Sequence, residues 1–188
     1  GHIDGFVTQV RADGTGLLTS GYLGGAFRDA GSDVAVDRAG DAYVAGLTCS
    51  TEVTFPVKVG PDLTFNGGTL GNPIDAFVAK IRAKDGALVH CGYIGGSGDD
   101  WANGVAVDAA GCAYAAGSTA AGPTPDFPVK VGPYLQRPTS TTSTGFVAKV
   151  DSAGTSLIYC GYIPGGYGQK VAVDAQGRAF VGGDTTGS

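Results

Sequence analysis

The segment at residues 34–46, Val-Ala-Val-Asp-Arg-Ala-Gly-Asp-Ala-Tyr-Val-Ala-Gly, occurs three times. It returns as VAVDAAGCAYAAG at 105–117 and as VAVDAQGRAFVGG at 171–183. Each copy sets two short apolar runs around Asp-x-x-Gly, the chemistry of a tight β-turn closed by a glycine that can take positive φ. Three such hairpins in 188 residues define a repeat architecture. One hairpin cannot bury its own apolar faces, so its neighbours must cover it.

Two further pieces recur between the hairpins. One occupies 4–10, 75–81 and 145–150, with Phe6, Phe77 and Phe146 standing 71 and 69 residues apart. The other occupies 17–23, 88–94 and 157–163, and the turn between the two carries Asp13-Gly14, Asp85-Gly86 or Asp151 with Gly154. The hairpin pieces are apolar at successive positions, which predicts strands covered on both faces. The later pieces carry polar residues at alternate positions (Thr8, Lys80, Arg82, His90, Lys149), which predicts strands nearer solvent, with His90 pointing outward. A four-stranded antiparallel unit, dry inside and wetter outside, is the blade of a β-propeller, so the fold class is all-β. A sandwich would put a polar face on the hairpin strands as well.

The chain forms one repeat region, 1–188, with repeats at approximately 3–73, 74–143 and 144–188. It opens on the third piece of the unit and closes on the second. Two whole blades and two halves are therefore expected, with free sheet edges at both ends. Propellers have 4–8 blades, so three blade equivalents leave three outcomes: further chain completes the ring, a partner copy completes it as six blades by strand exchange, or the arc stays open. The absence of Met and the initial Gly fit a trimmed chain or a piece of a longer one.

Long connections at 48–73 and 119–144 both contain Phe-Pro-Val-Lys-Val-Gly-Pro, at 55–61 and 127–133. Prolines at fixed places cannot donate ladder hydrogen bonds, so this is an ordered extended loop packed on the blade's edge. Residues 67–68 and 138–143 read as loop tips.

Asp-Ala-Phe-Val-Ala-Lys (75–80), Cys-Gly-Tyr-Ile-Gly-Gly-Ser-Gly-Asp-Asp (91–100), Val-Ala-Val-Asp-Ala-Ala-Gly (105–111) and Asp-Phe-Pro-Val-Lys-Val-Gly-Pro (126–133) resemble, in that order, the bacterial SBBP-type beta-propeller repeat. The resemblance extends over nearly the whole chain. It implies propeller blades of a kind common in large exported or cell-surface bacterial proteins. The implied role is a structural or protein-interaction module, placed extracellularly, on the cell surface or in the periplasm. The third copy departs from the pattern: it has Pro164, and Gly161 to Val171 is 10 residues against 13 in the other copies.

Thirty-four glycines and 43% hydrophobic residues suit many short strands and tight turns. The net charge of −5 with no basic stripe excludes a phosphate-backbone partner. No apolar run approaches the roughly 20 residues of a spanning helix. Cys49, Cys91, Cys112 and Cys160 admit buried thiols, disulfides or a metal; Cys91 and Cys160 stand a full repeat apart, which disfavours a bridge between them. Asp29 and Asp33, then Asp99 and Asp100 with Trp101, fall in the link before the hairpin. There, carboxylates and backbone carbonyls make Asp99 and Asp100 a weak Ca²⁺ candidate, against a solvated turn whose Asp caps backbone amides. Trp101 is the candidate ligand-stacking residue of a carbohydrate- or small-ligand-binding alternative. Asp37, Asp108 and Asp174 recur at the hairpin turn and read as turn formers. The histidines, His2 and His90, give no base beside a nucleophile, and no Gly-rich run opens a helix to cradle phosphate. The expectation is a protein that is not an enzyme and carries no cofactor.

Overall fold

The computed structural model describes residues 3–67, 73–120, 126–138 and 143–185. Regular structure among them is all β-strand: β1 (Gly5–Val10), β2 (Leu17–Leu23), β3 (Asp29–Val36), β4 (Ala42–Thr48), β5 (Asp75–Ile81), β6 (Leu88–Ile94), β7 (Asp100–Val107), β8 (Ala113–Ala120), β9 (Ser143–Val150), β10 (Leu157–Ile163), β11 (Tyr167–Val173) and β12 (Ala179–Asp184). They form two four-stranded antiparallel sheets, β3-β4-β5-β6 and β7-β8-β9-β10, and two pairs, β1-β2 and β11-β12. Two whole blades and two halves stand as the repeat order predicts, and β1 and β12 each keep one unpaired edge. His2 and the loop-tip residues 68 and 139–142 lie outside the described residues.

The hairpin turns form as Asp-x-x-Gly dictates. Asp37 Oδ1 accepts the N–H groups of Ala39 and Asp41, and Asp108 and Asp174 repeat the pattern. Gly40, Gly111 and Gly177 take φ of 87°, 83° and 76°. The first strand of each hairpin, however, starts earlier than the apolar run. Asp29, Asp33, Asp100 and Trp101 lie inside β3 and β7, not in a link. A register shift recurs here, at Gly31/Asp33, Ala102/Gly104 and Gly168/Lys170. Such bulges let polar and glycine residues extend a strand that reads as a turn in sequence.

Blades stack through their first strands. β7 packs on β3 and β4, and β11 packs on β7 and β8. The main core lies between blades, where Tyr43, Val78 and Ile94 meet Ala102, Val105 and Phe146. The outer strands are drier than their alternation suggests. Cys91, Tyr93 and Ile94 on β6 are fully buried, and His90 is 1% exposed rather than solvent-facing. The turn at 151–154 of the next blade covers it: a Cβ on Gly154 would run into the His90 ring.

The 55–61 segment seals the other side. Phe55 packs on Phe77 and Tyr93, ring centroids 5.1 and 5.7 Å away. Lys58 N donates to Cys91 O at 2.9 Å, and Cys91 N donates to Lys58 O at 2.7 Å, so the segment adds a one-residue strand outside β6. Phe127 and Lys130 repeat this against Phe146, Tyr162 and Cys160. Val59 and Val131 share a left-handed backbone, φ 45° and 34°, so the two copies of the segment take the same unusual turn. All four cysteines are free thiols: Cys49 is half-buried and the rest are buried.

Candidate functional site

Three places concentrate polar or unsatisfied groups. The first is the pair of open edges. Internal repeats show what each exposed residue would look like when covered. Phe6 is 69% exposed, while Phe77 and Phe146 are at 0%. Tyr22 is 87% exposed against 0% for Tyr93 and 4% for Tyr162. At the other end, Phe180 is 57% exposed where Tyr43 and Tyr114 are at 0%.

Inside the chain, the β4–β5 and β8–β9 pairings each carry a clamp. Lys80 Nζ lies 3.1 Å from Asp37 Oδ2 and 4.8 Å from the centre of the Tyr43 ring. Lys149 Nζ lies 3.0 Å from Asp108 and donates to the Tyr114 hydroxyl at 2.6 Å. Each tyrosine hydroxyl also reaches the next hairpin turn, at the carbonyl of Gly111 or Gly177, 3.1 Å away. Burial pushes both tyrosines above their usual pKa. The lysines are raised well above theirs: burial opposes this, but hydrogen bonds to Tyr and Asp outweigh it. On the free edges the same positions hold Gln9 and Phe180, so the ammonium and the hydroxyl disappear together. Beside the clamp, Asp41 accepts the Ala83 N–H and pairs with Lys80 Nζ at 3.2 Å; the positions of Asp41 and Lys84 hold Cys112 and Ala153 at the second internal seam, and Arg178 and Asp13 on the free edges.

The second place is the inner face. Asp33 on β3 accepts the Val105 N–H of β7 at 3.0 Å and pairs with Lys170 of β11 at 2.9 Å. Asn103 donates to the Gly168 carbonyl at 2.9 Å. The inner strands thus join through a polar node, although their sequence reads as Val and Ala. Its signal was present: Asp33, Gly104 and Lys170 occupy one repeat position, the only one of the hairpin strand where charge of both signs appears.

The third is the junction between β5 and β7. Asp75 and Asp100 are fully buried, each with its Oδ1 unpartnered. Asn66 N donates to Asp75 Oδ2 and Gly96 N to Asp100 Oδ2, both at 2.8 Å. A Cβ on Gly95 would stand 2.6 Å from Asp75 Oδ1 and 2.9 Å from Asp100 Oδ2, so the two carboxyls share one pocket. Burial pushes Asp75 up to about 7, with the charges of Asp62 and Asp126 adding to it, and pushes Asp100 up to about 8, with those of Asp75 and Asp99 adding to it. Asp100 is therefore no solvated turn residue. Asp99 stays half-buried and accepts the Ile74 N–H at 3.3 Å. Among the described residues no three His, Cys, Asp or Glu side chains are placed together to hold a metal ion. Trp101 is half-buried on β7, paired with Ser118. The partnership of Asp100 with Asp75, 25 residues away, escapes a reading by local spacing; it is legible only by comparing repeats. Asp4 and Asp29 hold the same two positions one repeat earlier, and Thr144 and Gly166 replace both one repeat later.

No curated protein matches the chain. Residues 20–51, running from the end of β2 through the β3–β4 hairpin, match the SBBP family, described as a beta-propeller repeat. The strands and registers of the other blades recur in step with that matched segment, so the segment is one beta-propeller repeat among several built alike.

Proposed function

We propose that the chain is a non-enzymatic structural and protein-interaction module, part of an exported or cell-surface assembly, which works by joining its free blade edges to matching edges of the same repeat type. The carrying observation is the joint change at those edges. Transferring the β4–β5 register sets Phe180 opposite Gln9 and Val181 opposite Thr8. The Lys–Tyr pair vanishes from both sides at once, and the free edges carry opposite charges, Arg178 and Asp13, at positions that are neutral (Cys112 and Ala153) at the second internal seam. Two edges with no bearing on each other would have no reason to change in concert. Two chains so joined hold six blades, within the usual range of 4–8. Charge complementarity fixes register and suppresses wrong partners.

The test is sedimentation equilibrium with charge swaps. Asp13→Lys should weaken self-association about a hundredfold, since two chains meet at two such seams and each contact is worth about 1.4 kcal/mol, and Asp13→Lys with Arg178→Asp should restore it. A monomer at all concentrations, indifferent to both changes, overturns the reading. A cysteine pair at Thr8 and Val181 should also cross-link between chains, while Thr8 with Gly183 should not. A carbohydrate- or small-ligand-binding role draws on half-exposed Trp101 on an inner strand. Glycan-dependent quenching of the sole tryptophan, together with calorimetric glycan binding that is lost in Trp101→Ala, would favour that alternative.

A further inference from the structure

We infer that the outer edge of the β1–β2 half-blade is a docking seat for a Phe-Pro-Val-Lys-Val-Gly-Pro segment belonging to another repeat of this type. The inference rests on the assembly reading above and names the chemistry of the partner at a second place, the outer edge.

The seat is built from positions whose counterparts are occupied twice within the chain, so it continues an interface already formed. Phe55 and Phe127 cover the Phe77–Tyr93 and Phe146–Tyr162 pairs; Phe6 and Tyr22 are the same cross-strand pair, left bare. Lys58 and Lys130 exchange main-chain hydrogen bonds with Cys91 and Cys160; Ser20 holds that position, and among the described residues no segment bridges it. The ammonium groups of Lys58 and Lys130 donate to the carbonyls of Leu88 and Leu157 at 2.8 and 2.6 Å; Leu17 supplies the corresponding carbonyl.

Gly21 is the most telling position. Its counterparts Gly92 and Gly161 are glycine because the segment's own Gly60 and Gly132 press against them: a Cβ on Gly92 would stand 2.6 Å from Gly60 Cα, and one on Gly161 2.9 Å from Gly132 Cα. At Gly21 nothing lies within 4 Å. Nothing in the chain's own packing asks for a glycine there, and a strand interior disfavours one. A glycine kept without a local reason, beside a groove of about 150 Å³ lined by Ser20, Gly21, Tyr22, Pro56 and Leu88, fits a close approach by a partner's glycine. Docking would proceed by strand addition: backbone bonds supply affinity, and the Phe pocket supplies selectivity.

The experiment titrates the full chain with the peptide Thr-Phe-Pro-Val-Lys-Val-Gly-Pro-Asp, the sequence of residues 54–62, and follows backbone amide shifts by NMR. Saturable shifts at Phe6, Ser20, Gly21 and Tyr22 are expected, with at least about tenfold weaker binding when the peptide Phe becomes Ala. Gly21→Val should weaken binding by a similar factor while leaving the melting temperature unchanged or higher, because open space and an extended strand accept valine. No saturation, or equal affinity for the Gly21→Val chain, overturns the inference. So does a dimer that Gly21→Val dissolves without any peptide uptake, which would assign the seat to a second copy. Charge-swap association that persists when the peptide fails leaves the assembly reading intact and removes only the seat; the reverse result does the opposite.

Discussion

Asp75 and Asp100 set the sign of the chain's pH response. Both have native pKa values above the unfolded range of about 3.9, near 7 and 8. The native state keeps their protons while the unfolded state has lost them, so stability falls as pH rises from about 4 through 8. His90 opposes this over part of the range. Burial lowers it to about 4, so below about 6.5 the unfolded state takes a proton that the native state refuses, and stability falls as pH falls. Two acids outweigh one histidine, and the steepest loss on raising pH belongs just above 6.5, where His90 no longer compensates. Urea midpoints should be higher at pH 5.5 than at pH 8.5, and Asp100→Asn should flatten the difference. A midpoint that rises with pH would show that the pair does not hold protons. Val131 offers a second test. It is 72% exposed with φ of 34°, strain of about 1 kcal/mol with little burial in return. Val131→Asn should raise the melting temperature by a few degrees.

At the scale of the element, the repeated unit is a hairpin whose turn reaches its neighbours. Asp108 spends one oxygen on turn amides and the other on Lys149 and Tyr114, and Tyr114 touches the following turn. The clamp thus ties local turn chemistry to blade stacking. Lys149→Met should cost about 2 kcal/mol, since it leaves a mostly buried carboxylate with fewer donors. In a Tyr114→Phe background it should cost less, because the two act as one network. A double-mutant cycle by urea unfolding reads the coupling, and additive losses would separate them. The third hairpin lacks this arrangement: Asp174 pairs instead with Arg178 at 2.6 Å. This hairpin should be the first to open, seen as faster amide exchange across β11–β12 than across β7–β8.

For the molecule as a whole, the ends differ from the middle most in what covers them. Apolar side chains at Phe6, Tyr22 and Phe180 have the identity of core residues and the exposure of surface ones. Exposed apolar patches of this kind, beside unpaired strand edges, mark contact surfaces. The sequence alone determined the strand order, both hairpin turns of each unit and the ordered proline segment. These follow from period-two alternation, Asp-x-x-Gly and fixed prolines, all of which act within a few residues. It also contained the partnership of the junction acids, since Asp4 with Asp29 and Asp75 with Asp100 give way together to Thr144 with Gly166. Only the tertiary structure decided burial. His90 reads as an outward polar residue and is enclosed, and Asp29 and Asp100 read as turn residues and are interior. Each is covered by a segment from another part of the chain, and coverage between distant segments leaves no mark on local periodicity.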